Sequence, residues 1–306
     1  MVGAKKMKQR KKNVALNDMS FDIVSTILGI IILVVIAYPI YFVIIASISE
    51  PAAVYQGKTI LIPRQISFSG YEKILADGAI WKGYYNSFKY LIIGTIISLV
   101  ITIPAGYALS KKRMKGRGAL IFIFVLTMFF QGGLIPTYLL VSGLGMTNTI
   151  WAMVLPNALA VWNLMVTRTY YQSTISDQLE EAASIDGCTS IGFFVRIALP
   201  ISKTIIMVIM LYYGVAIWNS YFDALLYLRK PQLYPLQIIL RNILIQNQTA
   251  MLTSSVEEID SVVELQRVLD QMKYGLIIIS SLPLIILYPF IQKYFEKGVM
   301  IGSVKG

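Results

Sequence analysis

The sequence predicts an all-α polytopic membrane protein with six transmembrane helices, and three observations carry that reading. Of 306 residues, 56% are hydrophobic and only 14% are charged, where a soluble domain carries roughly 25% charged residues. Mean hydropathy is +0.66. Six apolar stretches lie near 22–48, 87–110, 118–141, 148–171, 200–222 and 273–292. Each can cross about 30 Å of hydrocarbon at about 1.5 Å per residue.

The composition also excludes chemistry. There is no histidine, which removes histidine acid–base catalysis and histidine metal ligation. The lone Cys188 allows no internal disulfide, CxxC pair or zinc cluster. It reads as a small residue, not a reactive thiol. The net charge of +11 raises nucleic-acid binding as an option. The basic residues flank apolar segments, however, and point to membrane topology instead.

Taken in order, residues 1–21 form a basic arm whose "AKKMKQRKK" holds six Lys and Arg. The first span is too long for a signal-peptide core and no clear cleavage site follows it, so it is expected to remain in the mature protein. Residues 22–293 form the six-span domain, and 294–306 form a tail. The loop "KKRMKGR" at 111–117 carries five basic residues. With the arm, the 168–203 loop, Lys293 and the tail it places seventeen on one side, against eight in 49–86 and 223–272. The positive-inside rule makes both termini cytoplasmic, with 49–86 and 223–272 extracellular. An even number of spans agrees with termini on one side.

Within the second outer segment, "SSVEEIDSVVELQRVLDQM" places Val256, Ile259, Val263 and Val268–Leu269 at helical spacing between acids. It reads as an amphipathic surface helix, lying on the protein's own outer face or offering a docking surface. Pro39, Pro104, Pro136, Pro156 and Pro283 fall in or near spans. Such prolines free carbonyls that neighbours or water must satisfy, as in helices lining a pathway and in inert bundles alike.

One polar stretch interrupts the apolar pattern, "EEAASIDGCTSIGFFVRIALP" from Glu180 to Pro200. Asp177 can cap a helix start, and Glu180 three residues later can reach back as in a capping box. Both acids suit the positive end of the helix dipole. Gly187 ends the helix, because glycine tolerates the left-handed backbone. Thr189 or Ser190 can cap a second helix running to Leu199–Pro200. Two short helices joined by a glycine hinge are expected on the cytoplasmic side. The small side chains of Ala182 and Ala183 let another surface approach, and Glu180, Glu181 and Asp186 offer acids to a basic partner. A solvated loop helix is the alternative.

These residues resemble a known signature. "EAASIDGCTSIGFFVRIALP" matches EAA-x3-G-x9-I-x-LP, the EAA motif of ABC importer permeases. The resemblance extends over the chain. "PAGYALSKKRMKGRG", "QGGLIPTYLLVSGLGMTNTIWAMVLPNA" and "WNSYFDALLYL" resemble segments of carbohydrate-type permeases. The tail "KYFEKGVMIGSVKG" resembles the group of the maltose permease's smaller subunit, particularly LplC/YtcP-like polysaccharide and oligosaccharide permeases. The resemblance implies the type I importer permease fold. It makes the insert a coupling helix seated in an ATPase groove through Glu180, Glu181, Ala182, Ala183, Asp186 and Gly187. It also implies tail contacts to the ATPase through Gly298, Met300 and Gly302. Many relatives have proline where this chain has Ser176.

The implied partners are a second homologous permease, two ATPase subunits, an extracellular solute-binding lipoprotein and membrane lipid. No GxxxxGK[ST] loop occurs in the chain, so ATP hydrolysis by that route must come from another subunit. ATP and Mg2+ are expected on that ATPase, with no cofactor, metal or catalytic residue in this chain. The spans hold few ionisable residues away from their ends, which suits neutral sugars. Candidate substrate contacts are Asn157, Trp162, Asn163, Trp218, Asn219 and Tyr221, whose amides bond hydroxyls and whose rings pack on sugars. Tryptophan and tyrosine also gather at membrane interfaces without touching substrate. A stand-alone secondary transporter would need intramembrane coupling residues or an inverted repeat, and neither is visible. An ABC permease for an amino acid or phosphonate is the nearer alternative.

Overall fold

The computed structural model describes residues 2–253, 269, 272–289 and 292. The candidate tail residues Gly298, Met300 and Gly302 lie outside the described residues, as does nearly all of the amphipathic stretch 254–272. Among the described residues the regular secondary structure is helical, apart from one isolated bridge between Ser49 and Ile66. They divide into two compact units, Met1–Lys73 with Thr253–Ile278, and Ile74–Leu252 with Ile279–Gly306.

The first unit is built on α1, Val2–Ser47, which runs unbroken through Pro39. From Phe21 to Ile40 its large apolar side chains are exposed, as lipid contact requires. A short helix α2, Pro51–Tyr55, follows. The turn back is tied by backbone bonds from Glu50 N to Gln65 O, 3.0 Å, and from Ser67 N to Ile48 O, 3.0 Å. The Tyr71 hydroxyl reaches Ser47 Oγ at 2.7 Å. Helix α3 spans Ser69–Ala76.

The second unit is organised by α4, Gly78–Ser110. This helix begins well before the expected start at residue 87. The Asp77 side chain accepts from Ala79 N at 2.8 Å and caps it, so part of the segment read as a loop is helix. Next come α5, Arg117–Phe129, and α6, Leu134–Gly143. They are bent by 113° at Phe130–Gly133, where Gly133 has φ +86°. The stretch 118–141 is therefore not one straight span.

The stretch 148–171 is also divided. Helices α7, Ile150–Val154, and α8, Val161–Thr174, are separated by six residues containing Pro156. The helices of the polar insert are α9, Asp177–Ile185, and α10, Ser190–Phe193. A π-helical turn at Phe194–Ala198 leads into α11, Leu199–Ile201. After a 78° bend comes α12, Lys203–Trp218. Helices α13, Tyr221–Tyr227, and α14, Leu236–Thr253, follow, and α15 covers Met272–Pro289. Helix α14 lies in a segment for which the sequence suggested only the 254–272 helix.

Among the described residues, three helices are long and apolar enough to cross a membrane, or up to five if each bent pair is one span. The divided 148–171 segment keeps that number below six.

Helix α4 packs chiefly against α8 and α12. The close approach depends on missing side chains. A methyl built on Gly106 would lie 2.5 Å from Thr167 Cγ2 and 3.2 Å from Arg168 N. Small residues at helix contacts serve this purpose where lipid supplies no hydrophobic drive for association. Polar groups inside the unit are paired across helices. The Tyr213 hydroxyl lies 2.7 Å from Thr102 Oγ1 and accepts from Ala160 N at 3.0 Å. It thereby satisfies the amide at the break before α8.

Near the other end of α4, Asn86 donates to Gln232 O and Tyr234 O at 2.8 and 3.0 Å. Tyr90 donates to Leu233 O at 2.7 Å. Ser87 Oγ accepts from Leu236 N at 2.9 Å. These bonds seat the 228–236 connection on α4. Gly106→Val is expected to cost about 1–3 kcal/mol by overpacking, read as a lowered unfolding midpoint of the detergent-extracted protein, whereas Gly118→Ala, in open space, leaves the midpoint unchanged.

Candidate functional site

The polar insert folds as two helices because each end is specified locally. Ser176, in extended conformation, caps α9 by accepting from Leu179 N at 3.3 Å. The expected cap, Asp177, is instead the first helical residue, and it adds charge to the positive end of the dipole. The capping box is not formed, because with Ser176 as the cap its partner position falls on Leu179, and Glu180 lies one residue beyond it. At the far end Gly187 takes φ +80°. Cys188 N donates to Ala183 O at 2.9 Å and Gly187 N to Ser184 O at 3.0 Å, the Schellman pattern. Thr189 then caps α10 through Gly192 N at 3.1 Å, which decides between the two candidate caps.

Burial sorts the predicted coupling residues into two faces. Ala183 (9% exposed) and Phe193 (1%) turn into a core with Tyr107, Tyr171, Ile175 and Ile205. Ala183 thus permits close packing of α9 on its own chain and is not presented outward. Glu181, Ala182, Asp186 and Gly187 are exposed, beside Ile185 (87%) and Ile191 (78%). Two large apolar side chains held that far into solvent, flanked by acids, are suited to filling a groove on another protein.

Glu180 belongs to the inner face. Its Oε2 accepts from Lys111 Nζ at 2.6 Å and lies 3.4 Å from Arg113 Nη2. The Lys111 ammonium also lies 4.5 Å from the centre of the Tyr107 ring and 5.4 Å from that of Phe193, a cation–π arrangement. Asp177 and Lys112 are 4.0 Å apart on the surface. The basic loop 111–117, read from sequence only as a topology signal, is thus also the counter-ion of the coupling helix. Two clusters of opposite charge assigned to the same side of the membrane were the available clue.

The candidate substrate residues do not form one constellation. Trp218 is buried, donates to Ser280 O at 3.0 Å and meets Phe88 edge-on at 5.2 Å. Asn163 is buried in α8. Trp162, Asn219 and Tyr221 are exposed, with Asn219 Nδ2 donating to Val215 O at 2.9 Å. Asn157 donates to Asp223 Oδ2 at 2.9 Å. Asp223, beyond the end of α12, was not singled out in the sequence. Burial pushes its carboxyl above the usual range, and the Asn157 bond partly offsets this. In the first unit a recess of about 720 Å³ is lined by Ala52, Ala53, Gln56, Lys58, Arg64 and Gln65. Among the described residues no group of three or more His, Cys, Asp or Glu is placed to hold a metal ion.

A helical membrane protein with this exposed, glycine-hinged pair of helices has the architecture of a transport permease that works with a separate motor. Residues 78–301 match the family described as binding-protein-dependent transport system inner membrane component, and the chain belongs to that family. It is a non-catalytic transmembrane permease subunit of an ABC transporter, and a multi-pass protein of the cell membrane.

Two curated relatives come from Bacillus subtilis strain 168. The polygalacturonan/rhamnogalacturonan transport system permease protein YtcP is 38% identical over 88% of this chain and 92% of its own length. Protein LplC is 36% identical over 88% and 89%. A crystal structure of a bacterial ABC transporter involved in the import of the acidic polysaccharide alginate superposes with a TM-score of 0.81. It is 33% identical and covers 91% of this chain and 98% of that one.

Because Gly187 is held at positive φ, Gly187→Asn is expected to be nearly neutral and Gly187→Val to cost about 1–2 kcal/mol, compared by thermal unfolding of the purified chains.

Proposed function

We propose that this chain is the permease subunit of an ATP-driven importer of oligosaccharides, with uronate-containing chains as the preferred class. The observation that carries the coupling role is the exposed face of α9 and α10, with Glu181, Ala182, Asp186 and Gly187 around Ile185 and Ile191. An ATPase subunit docks there, and the tail residues Gly298, Met300 and Gly302 add contacts to it. Two such ATPases hold ATP and Mg2+. A second homologous permease completes the pathway, and an extracellular solute-binding lipoprotein delivers the sugar.

In this reading the chain crosses the membrane six times, with the divided segments 118–141 and 148–171 each counted as one crossing. Both termini and the coupling loop are cytoplasmic, which the seventeen-to-eight distribution of basic residues supports. ATP binding closes the ATPases and moves the coupling helices, and the spans rock between inward and outward openings. Asn157, Trp162, Asn163, Trp218, Asn219 and Tyr221 were the candidate substrate contacts. Of these, Asn157, Trp162, Asn219 and Tyr221 are exposed and keep that role here. Asn157 enters it as the partner of Asp223.

The preference for acidic sugars moves away from the neutral sugars suggested by the scarcity of charges in the spans. It is supported by what the relatives are named for, galacturonans and alginate. It is also supported by Lys58 and Arg64 around the recess of the first unit. A guanidinium and an ammonium there are suited to carboxylates.

Purification of the tagged chain from its native membrane in mild detergent is expected to bring down a second permease and an ATPase, identified by mass spectrometry. Hydrolysis in that complex should rise with a binding protein loaded with galacturonate oligomers and less with neutral oligomers. A chain that purifies without any ATPase would overturn the importer reading, whereas stimulation by neutral oligomers alone would remove only the acidic preference. Gly187→Pro, which forces φ to about −65°, should abolish the stimulation while membrane insertion, checked by extraction yield, stays intact.

A further inference from the structure

The ionic contact between the basic loop and α9 has a role that its geometry defines. Lys111 is the residue directly after α4, so its ammonium is carried by the end of the helix on which the second unit is packed. The last carbonyls of α4 are held as well. Leu109 O accepts from Arg117 Nε at 2.8 Å and from Arg168 Nε at 3.3 Å. Ser110 Oγ donates to Tyr107 O at 2.6 Å. The end of α4 is therefore a fixed point, tied to α8 and to its own following loop.

Glu180 meets this fixed point from the first turn of α9. The side chains of Lys111 and Glu180 are only 16% and 15% exposed, so salt screens the pair less than a surface pair. Removing one partner would leave the other partly buried and uncompensated, the costly case for an ion pair. Arg113 adds a second cation to the same carboxylate oxygen. The two aromatic rings under Lys111 come from α4 and α10, through Tyr107 and Phe193. One ammonium thus touches α4, α9 and α10. By contrast, Glu181, the next residue, is exposed.

We propose that Lys111, Arg113 and Glu180 form an electrostatic clamp that makes α9 and the end of α4 move as one body, transmitting displacement of the coupling helix to the spans. Adjacent acids then have different duties. Glu181 faces the partner and Glu180 faces the chain's own helix. Glu180 is a positioning residue that acts through Lys111. The transmission rests on the importer reading above, whereas the clamp itself is a property of this chain.

Two measurements separate these. In the purified chain, amide hydrogen exchange of residues 177–185 is expected to quicken about ten-fold in Glu180→Gln and in Lys111→Met, as local opening becomes easier. Lys111→Arg, which keeps the charge and the ring contact, should restore protection, and Glu181→Gln should leave it unchanged. The double variant Glu180→Gln/Lys111→Met should be no worse than the worse single variant, because both remove one interaction. In the co-purified complex, the ratio of stimulated to unstimulated hydrolysis with trigalacturonate-loaded binding protein should fall at least about five-fold in either single variant and recover in Lys111→Arg.

Unchanged exchange in both single variants would overturn the clamp. Quickened exchange with an unchanged hydrolysis ratio would overturn its role in transmission. Loss of ATPase co-purification in Glu180→Gln but not in Lys111→Met would mean that Glu180 touches the ATPase directly, and would overturn the assignment. A wild-type complex without any hydrolysis would sink the importer reading, while the exchange data would still decide the clamp.

Discussion

In hydrocarbon a backbone amide without a partner costs several kcal/mol, and that penalty governs how this chain interrupts its helices. The segment read as a fourth span breaks after Val154 and restarts at Val161. The break is tolerable because Tyr213, from α12, brings its hydroxyl to Ala160 N while sharing a bond with Thr102 of α4. One phenol thereby joins three helices at a point where the backbone leaves its regular ladder. At the bend before α12 the help is local, with the buried Ser202 Oγ donating to Ala198 O, four residues back, at 2.6 Å.

Around those points the packing depends on absent atoms. Gly106 lets α4 lie against the backbone of α8, and Gly94 sits with its missing Cβ 2.8 Å from Ile217 of α12. With α4 seated between its neighbours, both of its ends become anchors. One end receives the 228–236 connection through Asn86, Ser87 and Tyr90. The other presents Lys111 to the coupling helix. A long, well-packed helix with a polar attachment at each end is a mechanical link between two distant surfaces, and this is the property a permease driven by a separate motor needs.

The polar insert presents two distinct faces. Along α9, residues sort to two faces at helical spacing. Glu180 and Ala183 turn inward, and Glu181, Ala182 and Asp186 turn outward. The inward pair fixes the helix by charge and by close packing. The outward set leaves Ile185 and Ile191 in solvent, an arrangement that gains stability only when something covers it. A helix bound only through its outer face would slip on its own chain when pushed. The inner contacts oppose that slip.

Much of this was determined by the sequence alone. The helical membrane class followed from composition and from the length of the apolar runs, which are properties of single segments. The end of α9 at Gly187 followed from one residue's freedom at positive φ, and the family followed from spacing within the motif. Other features were decided only by tertiary structure, because they depend on residues distant in the chain. Lys111 and Glu180 are 69 positions apart, and no local pattern says which of two adjacent acids the lysine takes. Asn157 finds Asp223 across 66 positions, so an amide that looked free for a sugar hydroxyl is engaged within the chain. Ser176 takes the cap in place of Asp177, which puts Leu179, a residue with no acceptor, at the box position. The breaks in the third and fourth spans were likewise invisible to hydropathy, which measures how apolar a segment is and not which neighbour satisfies its backbone.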